Sequence, residues 1–552
     1  MTGAAARNRP KQDSAKTVHS IHAAATAKNA ATPAVLGFKA YNLARMAALG
    51  LRVPPAFVIG TGFCAHSEEV TPSTWSGALA ALEGATGLRL GDARRPLLLS
   101  VRSGAPVSMP GMMETLLNIG LTEATLPGFV RLTGHPRLAW DAYRRLIAGF
   151  GEVVANIESR HFETDLDTVR EGEDERSLDF AALREVARRH LQTFARQAGR
   201  PFPQDAGQQL AEAIGAVFRS WFSDKAMTYR TLHHLSHDMG TAVTVQRMVF
   251  GNAGGLSGAG VGFTRDPSTG KPSPWVDFLF NSQGEDVVSG RRTAQGHDEL
   301  AAVAPVLWDE LVRATHTLER HFGDMQDFEF TIENGVLFLL QTRNGKRTPR
   351  AAARIALDML DAGLIDADAA RQRTEGLDAA SLALDTIATQ DGKALAPIAS
   401  AASAATGVVA GEIAFDEDFA RQRKQEGAQV IFVRRDAQTR DIAALDLADG
   451  LLTQHGARTS HAAVVARQLG KVCLVGCESM SVDEAARCLV INGVRYPEGA
   501  VLTLDGNSGH IYAGAATVTQ DIPQALLARL ERLRKPVLSS KPAPARADQR
   551  PD

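Results

Sequence analysis

The sequence predicts a multidomain protein of mixed α+β and α/β class, and three observations carry that reading. At 552 residues, 44% hydrophobic and 22% charged, the chain is too long for one core and too apolar to be mainly disordered. Strand-like and helix-like apolar periods alternate along it. An alanine-rich stretch of low complexity, 396–405, sets off a last strand-rich segment.

The elements follow in order. Residues 1–34, rich in Ala, Thr, Lys and Arg with Asp13 as the one acid, read as a flexible arm, although organelle transit peptides share that composition. Residues 35–135 form a first lobe, with a helix at 36–50, strands at 56–60 and 97–101, and a Pro/Gly-punctuated loop at 109–120 entering a helix. Residues 136–235 carry charged helical patterns and are expected to form a helical subdomain. A second lobe spans 236–350, with strands at 241–249, 276–280, 327–332 and 336–342 and a glycine-dense loop at 251–262. Residues 351–405 are a helical linker, with 396–405 as the hinge. A separate domain occupies 406–515, with strands at 408–415, 429–433, 472–476 and 501–505 and a helix at 461–469. A helix and a disordered tail close the chain at 516–552.

Composition excludes several classes of function. Lys+Arg (60) and Asp+Glu (62) nearly cancel, which removes a general attraction for nucleic acid, and 6% aromatics offer few stacking platforms. No run of about 18 uncharged apolar residues suggests a membrane span, and the leader lacks the apolar core of a secretory signal. We expect a cytoplasmic protein without nucleic-acid or membrane partners. Cys64, Cys473, Cys477 and Cys488 are too few for a disulfide scaffold, and Cys473 and Cys477 lack the second pair of a structural zinc site, so all four read as reduced thiols.

Three segments carry chemistry of their own. In GARTSHAAVVARQLG (456–470), Thr459 or Ser460 is a natural N-cap and Gly470 a natural stop, which puts His461 in the first turn of a helix. The positive helix end favours the neutral imidazole that a nucleophilic histidine needs and stabilises phosphoryl oxygens brought to it. In SVRSGAPVSMPGMMETLLNIG (100–120), Arg102 at a strand end can fork to phosphate oxygens and Gly104 and Gly111 permit close backbone approach.

The third segment is DFEFTI-ENG-VLFLLQTR (327–343). With Glu333-Asn334-Gly335 as a three-residue hairpin loop, Ile332 pairs with Val336, Glu329 faces Leu339 and Asp327 faces Gln341. One face then collects Asp327, Glu329, Gln341 and Arg343; a two-residue loop would separate the acids from Gln341 and Arg343. Two carboxylates and an amide suit magnesium on a nucleotide, and Arg343 can neutralise a transferring phosphate.

These segments resemble the pyruvate, phosphate dikinase family. The 456–470 run is similar to its phosphohistidine motif, with Ser460 as in the dikinases, Arg458 as in the related synthases, and Ala457 in place of a second glycine. The resemblance makes His461 the phosphorylated residue and Thr459 the counterpart of the threonine that is reversibly phosphorylated in plant dikinases, although a bland cap is an equal reading. The 100–120 run resembles the nucleotide-binding domain, with Arg102 on the phosphates and Pro106 where the family usually has a basic residue. GNAGGLSGAGVGFTRDPSTG (251–270) resembles its phosphate-grasping loop, which would make Gly258 and Gly260 phosphate ligands, with Ala259 in place of the usual threonine.

Further matches complete the implied pocket. TAVTVQRMVFG (241–251) resembles the adenine-edge strand, with Gln246 and Met248 as base contacts. NSQGED (281–286) resembles the segment near inorganic phosphate and magnesium, which implicates Glu285 and Asp286. GFKAYNL (37–43) keeps Lys39 as a phosphate ligand but loses two family glycines, and DAYRR (141–145) adds Arg144 and Arg145.

The resemblance implies an ATP-grasp nucleotide-binding module with a helical subdomain, followed by a swivelling phosphohistidine β/β/α domain. It implies ATP and Mg2+ as cofactors, His461, Arg102 and Arg343 as catalytic residues, and conversion of ATP and inorganic phosphate to AMP and pyrophosphate. The family normally continues into a barrel that binds pyruvate or phosphoenolpyruvate and needs roughly 200 residues or more. The sequence runs only about 40 residues past the phosphohistidine domain at 406–515, so we expect a separate barrel protein as partner. A non-catalytic nucleotide sensor, and transfer to a small-molecule or protein acceptor, are the alternatives.

Overall fold

The computed structural model describes residues 16–22, 32–107, 109, 113–172, 175–288, 296–388, 395–437, 441–456, 458 and 461–535. The chain divides into two compact units: 1–264, 275–318 and 326–344 form the first, and 265–274, 319–325 and 345–552 the second. Both mix helices and sheets.

The first unit holds two sheets. In one, β1 (Val18–Ile21), β2 (Ala56–Ile59), β3 (Leu99–Gly104), β4 (Thr115–Ile119) and β5 (Ala242–Arg247) run in the order β1-β2-β5-β3-β4. In the other, β6 (Gly258–Phe263), β7 (Trp275–Phe280), β8 (Gln326–Glu333) and β9 (Val336–Asn344) run β7-β6-β8-β9.

Four expectations change here. Part of the leader is structured, because Val18–Ile21 pairs antiparallel with β2. The 241–249 strand belongs to the first sheet, since β5 lies between β2 and β3. Residues 115–119 form a strand against β3 rather than entering a helix. The helices of 136–235 do not form a subdomain with a core of their own: Tyr143, Phe150, Phe194, Phe218 and Trp221 share one buried cluster with Phe57, Val101 and Val245 of the sheet. A separate subdomain would need its own apolar interior.

In the second unit, β10 (Leu384–Ile387) and β22 (Val518–Asp521) form an antiparallel pair. An eight-stranded sheet contains β11 (Ala399–Ser400), β12 (Ala402–Ala405), β13 (Val408–Ala414), β14 (Val430–Arg434), β15 (Gly450–Thr453), β16 (Val472–Val475), β20 (Val501–Asp505) and β21 (His510–Ala513). A three-stranded sheet comprises β17 (Met480–Asp483), β18 (Cys488–Ile491) and β19 (Val494–Pro497).

Strands β13 to β16 are parallel neighbours, and the helices Glu417–Gln425, Ile442–Leu447 and His461–Gln468 cross over between them. Their side chains alternate between two cores. Ile413, Ile431, Val433, Leu452 and Leu474 pack with Met480, Val482 and Leu489, while Ala414, Val430, Phe432, Leu451 and Cys473 pack with Ala463 and Ala466. Burial on both faces gives these strands their near-continuous apolar sequence.

Residues 396–405 are not a hinge. Ala402–Ala405 pairs with β16, Ala399–Ser400 pairs with β21, and Ala404 is fully buried. The alanines are small because backbones approach closely there: a Cβ on Gly506 would overlap the carbonyl oxygen of Ala405. Beside the β10–β22 pair, the helices Pro349–Asp361 and Gln524–Arg534 close a small core through Leu357, Leu382, Leu526 and Leu530. The tail expected after about residue 535 lies outside the described residues. Among the described residues no helix is long and apolar enough to cross a membrane.

Candidate active site

A cleft of about 740 Å³ in the first unit is lined by Lys39, Arg102, Glu329, Gln341 and Arg343. Four elements deliver these side chains. The segment Pro33–Ala48 kinks at Gly37 (φ 71°), and the Phe38 amide donates to the Ala105 carbonyl at 2.9 Å, which brings Lys39 to the end of β3. Strand β3 supplies Arg102, β8 supplies Glu329, and β9 supplies Gln341 and Arg343. Buried Asn42 donates to the Thr342 carbonyl at 2.8 Å and ties the Lys39 segment to β9. Asn42 sits in the motif that singled out Lys39, but nothing in the sequence shows that its partner lies 300 residues on.

The hairpin reaches the expected face by a different route. Glu333 pairs with Val336, so the loop is the two-residue turn Asn334-Gly335, with φ of 50° and 76°. Both are left-handed, as a tight hairpin of this hand requires. Two-residue register alone would send Gln341 and Arg343 away from the acids. A bulge between Phe330↔Leu339 and Glu329↔Gln341 inserts Leu340 and flips the register. Glu329 therefore pairs with Gln341 and Asp327 with Arg343, correcting the expected pairings while keeping the four side chains on one face. The Arg343 Nε donates to Asp327 at 2.8 Å, the Gln341 amide to Glu329 at 3.2 Å, and Arg102 lies 3.8 Å from Glu329.

The cleft is electrostatically poised for an anion. Burial, aided by the guanidiniums of Arg102 and Arg343 and opposed by Glu329, pushes the Lys39 ammonium down to about 8. Burial works against the charge of Arg343 too, but Asp327 and Glu329 outweigh it and raise its pKa. Between pH 8 and the ordinary lysine range the unfolded chain holds a proton on Lys39 that the folded chain has lost, so this group adds stability as pH rises through that window. Anion binding has the opposite sign: affinity for ATP should fall as pH rises through about 8. Titration calorimetry across that interval checks this. Lys39→Met should lower affinity about 10–100-fold at neutral pH and flatten the alkaline decline.

Gln246 is buried beside this cleft, sharing a small cavity with Lys39, Arg102 and Gln341, and its amide donates to the Pro54 carbonyl at 3.0 Å. Met248 does not join it. It lines a second cavity of the first unit with Asp141, Arg145, Asn252 and Gln283, because the strand ends at Arg247. Arg144 is buried and pairs with Asp141 at 2.6 Å and with Glu175. Arg145 contacts Asp141 at 3.0 Å, Glu175 at 3.1 Å and Asp286 at 3.7 Å. Burial disfavours the Asp141 carboxylate, but Arg144, Arg145 and Arg137 hold its pKa below the usual range. Arg144 is thus committed to an internal ion network, while Arg145 also borders the cavity.

Gly258 and Gly260 are not loop residues that cradle phosphate. They lie in β6, fully buried, paired with Phe280 and Phe278 on β7 and with Ile332 and Phe330 on β8. A Cβ on Gly258 would overlap the Phe278 ring and one on Gly260 the Phe330 ring, so the glycines admit aromatic packing. Ala259, between them, points to the opposite face of β6, where it is buried and paired with Leu279 and Thr331. Gly260→Ala should therefore destabilise the fold by about 1–3 kcal/mol while leaving ATP affinity within about twofold. Denaturant unfolding and calorimetry on the same sample separate the two effects.

In the second unit, His461 opens the helix His461–Gln468, which follows the carboxyl end of β15. Ligands of open α/β sheets gather at that end. The Arg467 guanidinium anchors the helix to the Ala404 carbonyl at 2.6 and 2.8 Å. Gly111, Thr459, Ser460 and the side chains of His461 and Glu285 lie outside the described residues. All four cysteines are buried and free, and burial pushes Cys473 up to about 12 and Cys64 up to about 11, which leaves them unreactive.

Among the described residues, no group of three or more His, Cys, Asp or Glu side chains forms a metal site. Asp327, Glu329 and Gln341 are hard oxygen donors on one face, which fits a cation that takes its remaining ligands from a nucleotide.

Residues 67–298 and 297–363 match the family described as pyruvate phosphate dikinase, AMP/ATP-binding domain, and 427–509 match PEP-utilising enzyme, mobile domain. The chain is 41% identical over 498 residues to the pyruvate, phosphate dikinase of Clostridium symbiosum, covering 88% of this chain and 57% of that protein. It is 42% identical over 507 residues to the enzyme of that name from Rhizobium meliloti, covering 88% and 56%. It is 40% identical over 490 residues to pyruvate, phosphate dikinase 2 of Zea mays, covering 87% and 55%. The chain thus spans little more than half the length of these relatives.

Proposed function

The chain belongs to the family of pyruvate phosphate dikinase AMP/ATP-binding domains, and from that premise we propose that it is an ATP-dependent phosphotransferase that carries phosphoryl on His461. The observation that carries the reading is the single cleft in which Lys39, Arg102 and Arg343 converge beside two carboxylates. These cations hold the triphosphate and offset the charge that spreads during transfer. Gln246 is the assigned base contact. Asp327, Glu329 and Gln341 would hold magnesium, which when bound neutralises phosphate charge.

In this reading the imidazole of His461 attacks the β-phosphorus of ATP and AMP leaves. Inorganic phosphate takes the γ-phosphoryl group as pyrophosphate, and the β-phosphoryl group stays on the ring. We assign inorganic phosphate to the second cavity, with Arg145 and the Glu285-Asp286 pair nearby, and Arg144 as the residue that holds Arg145 in place. Following the relatives' name, pyruvate is the proposed acceptor, and a cytoplasmic location is proposed. Thr459 is assigned as a regulatory phosphorylation site.

The test is incubation of the full chain with ATP labelled at the β-phosphorus, inorganic phosphate and magnesium. Acid-labile label on the protein, with equal AMP, supports the reading. ATP binding without label would replace it with a nucleotide sensor.

A further inference from the structure

A cavity of about 1200 Å³ within the second unit has no role in the function proposed above. Its wall carries Lys271, Arg350, Arg354, Arg467 and Lys471, and none of its lining residues is acidic. In a chain whose charges nearly cancel, this is a local excess of positive charge. Arg350 is partly offset by Asp521, 3.0 Å away, and donates to the Leu382 carbonyl, Arg354 donates to the Thr269 carbonyl and Arg467 to the Ala404 carbonyl, which leaves Lys271 and Lys471 as the cations with most freedom to turn toward a ligand.

The helices bordering the cavity increase the excess. Pro349–Asp361 begins at the Thr348 cap and Gln524–Arg534 begins after Pro523, and neither has an acid in its first turn. Arg350 and Arg354 sit at and near the positive end of their helix, where a cation is unfavourable and an anion favourable. The floor, by contrast, is apolar, with Pro349, Leu384, Ala405 and Leu526. Guanidiniums beside a lysine match the several oxygens of a phosphate, and the apolar floor matches a carbon body.

We propose that this cavity is an anion site, separate from the nucleotide cleft, that takes a small organic phosphate. The test is calorimetry on the full chain with fructose 1,6-bisphosphate at constant ionic strength. One site should appear, persist in Lys39→Met, and weaken at least tenfold in the double variant Lys271→Glu/Lys471→Glu. Both lysines lie outside the buried core, so this variant should unfold at the wild-type temperature. Citrate at the same ionic strength should bind at least tenfold more weakly. Absence of binding, loss of binding in Lys39→Met, indifference to the double variant, or citrate binding as tightly would each overturn the proposal.

Discussion

Arg343→Met should lower kcat for AMP formation by about 10²–10³ while the protein stays folded. The guanidinium lies in the cleft and is held by Asp327 at 2.8 Å, so it is positioned before a nucleotide arrives. Its removal takes one fixed cation from the developing phosphate charge and leaves the Asp327 carboxylate, 16% exposed, without that partner. Both effects oppose an incoming polyanion. Arg343→Lys should recover only part of the loss, because an ammonium keeps the charge but cannot donate to a carboxylate and a phosphate in the planar geometry of a guanidinium. Steady-state kinetics with AMP detection, beside a thermal melt, separates catalysis from folding. An unchanged kcat in Arg343→Met would remove this residue from the transfer step.

Gly37→Ala should damage the same cleft through the backbone. Gly37 has φ of 71° and ψ of 158°, a region essentially confined to glycine, which costs an alanine about 1–3 kcal/mol. Its added Cβ would also overlap the carbonyl oxygen of Gly104, two residues beyond Arg102 on β3. The segment bearing Lys39 would have to move away from the strand bearing Arg102. We expect a stability loss of about 2 kcal/mol or more and at least a tenfold loss of ATP affinity. Chemical denaturation and calorimetry measure the two. A variant that loses stability but binds ATP normally would show that the close approach serves the fold and not Lys39.

Gly37 also shows why the sequence was only partly legible. Its motif pointed to Lys39, but the requirement for glycine comes from its positive φ and from the close approach of Gly104, a residue far along the chain. Apolar runs showed β13, β14 and β16, since burial on both faces leaves a continuous signal, but the four residues of β15 went unread. The grouping of Asp327, Glu329, Gln341 and Arg343 on one face was legible, but the register behind it was not. A tight Asn334-Gly335 turn and an inserted Leu340 each shift the pairing by one residue, and only the pair of shifts restores the face. In β6, glycine density suggested an exposed loop, whereas the space is filled by Phe278 and Phe330 from neighbouring strands. The alanines of 402–405 carry the same ambiguity: small residues mark both flexible linkers and the closest-packed strands, and only the partner β16 decides between them.

The central claim is that one imidazole carries phosphoryl out of the nucleotide cleft, and His461→Asn tests it most directly. With ATP, inorganic phosphate and magnesium, the variant should bind nucleotide as the wild type does, form no AMP, take up no acid-labile label and exchange no phosphate into ATP. AMP formation and phosphate exchange at wild-type rates in His461→Asn would contradict the account.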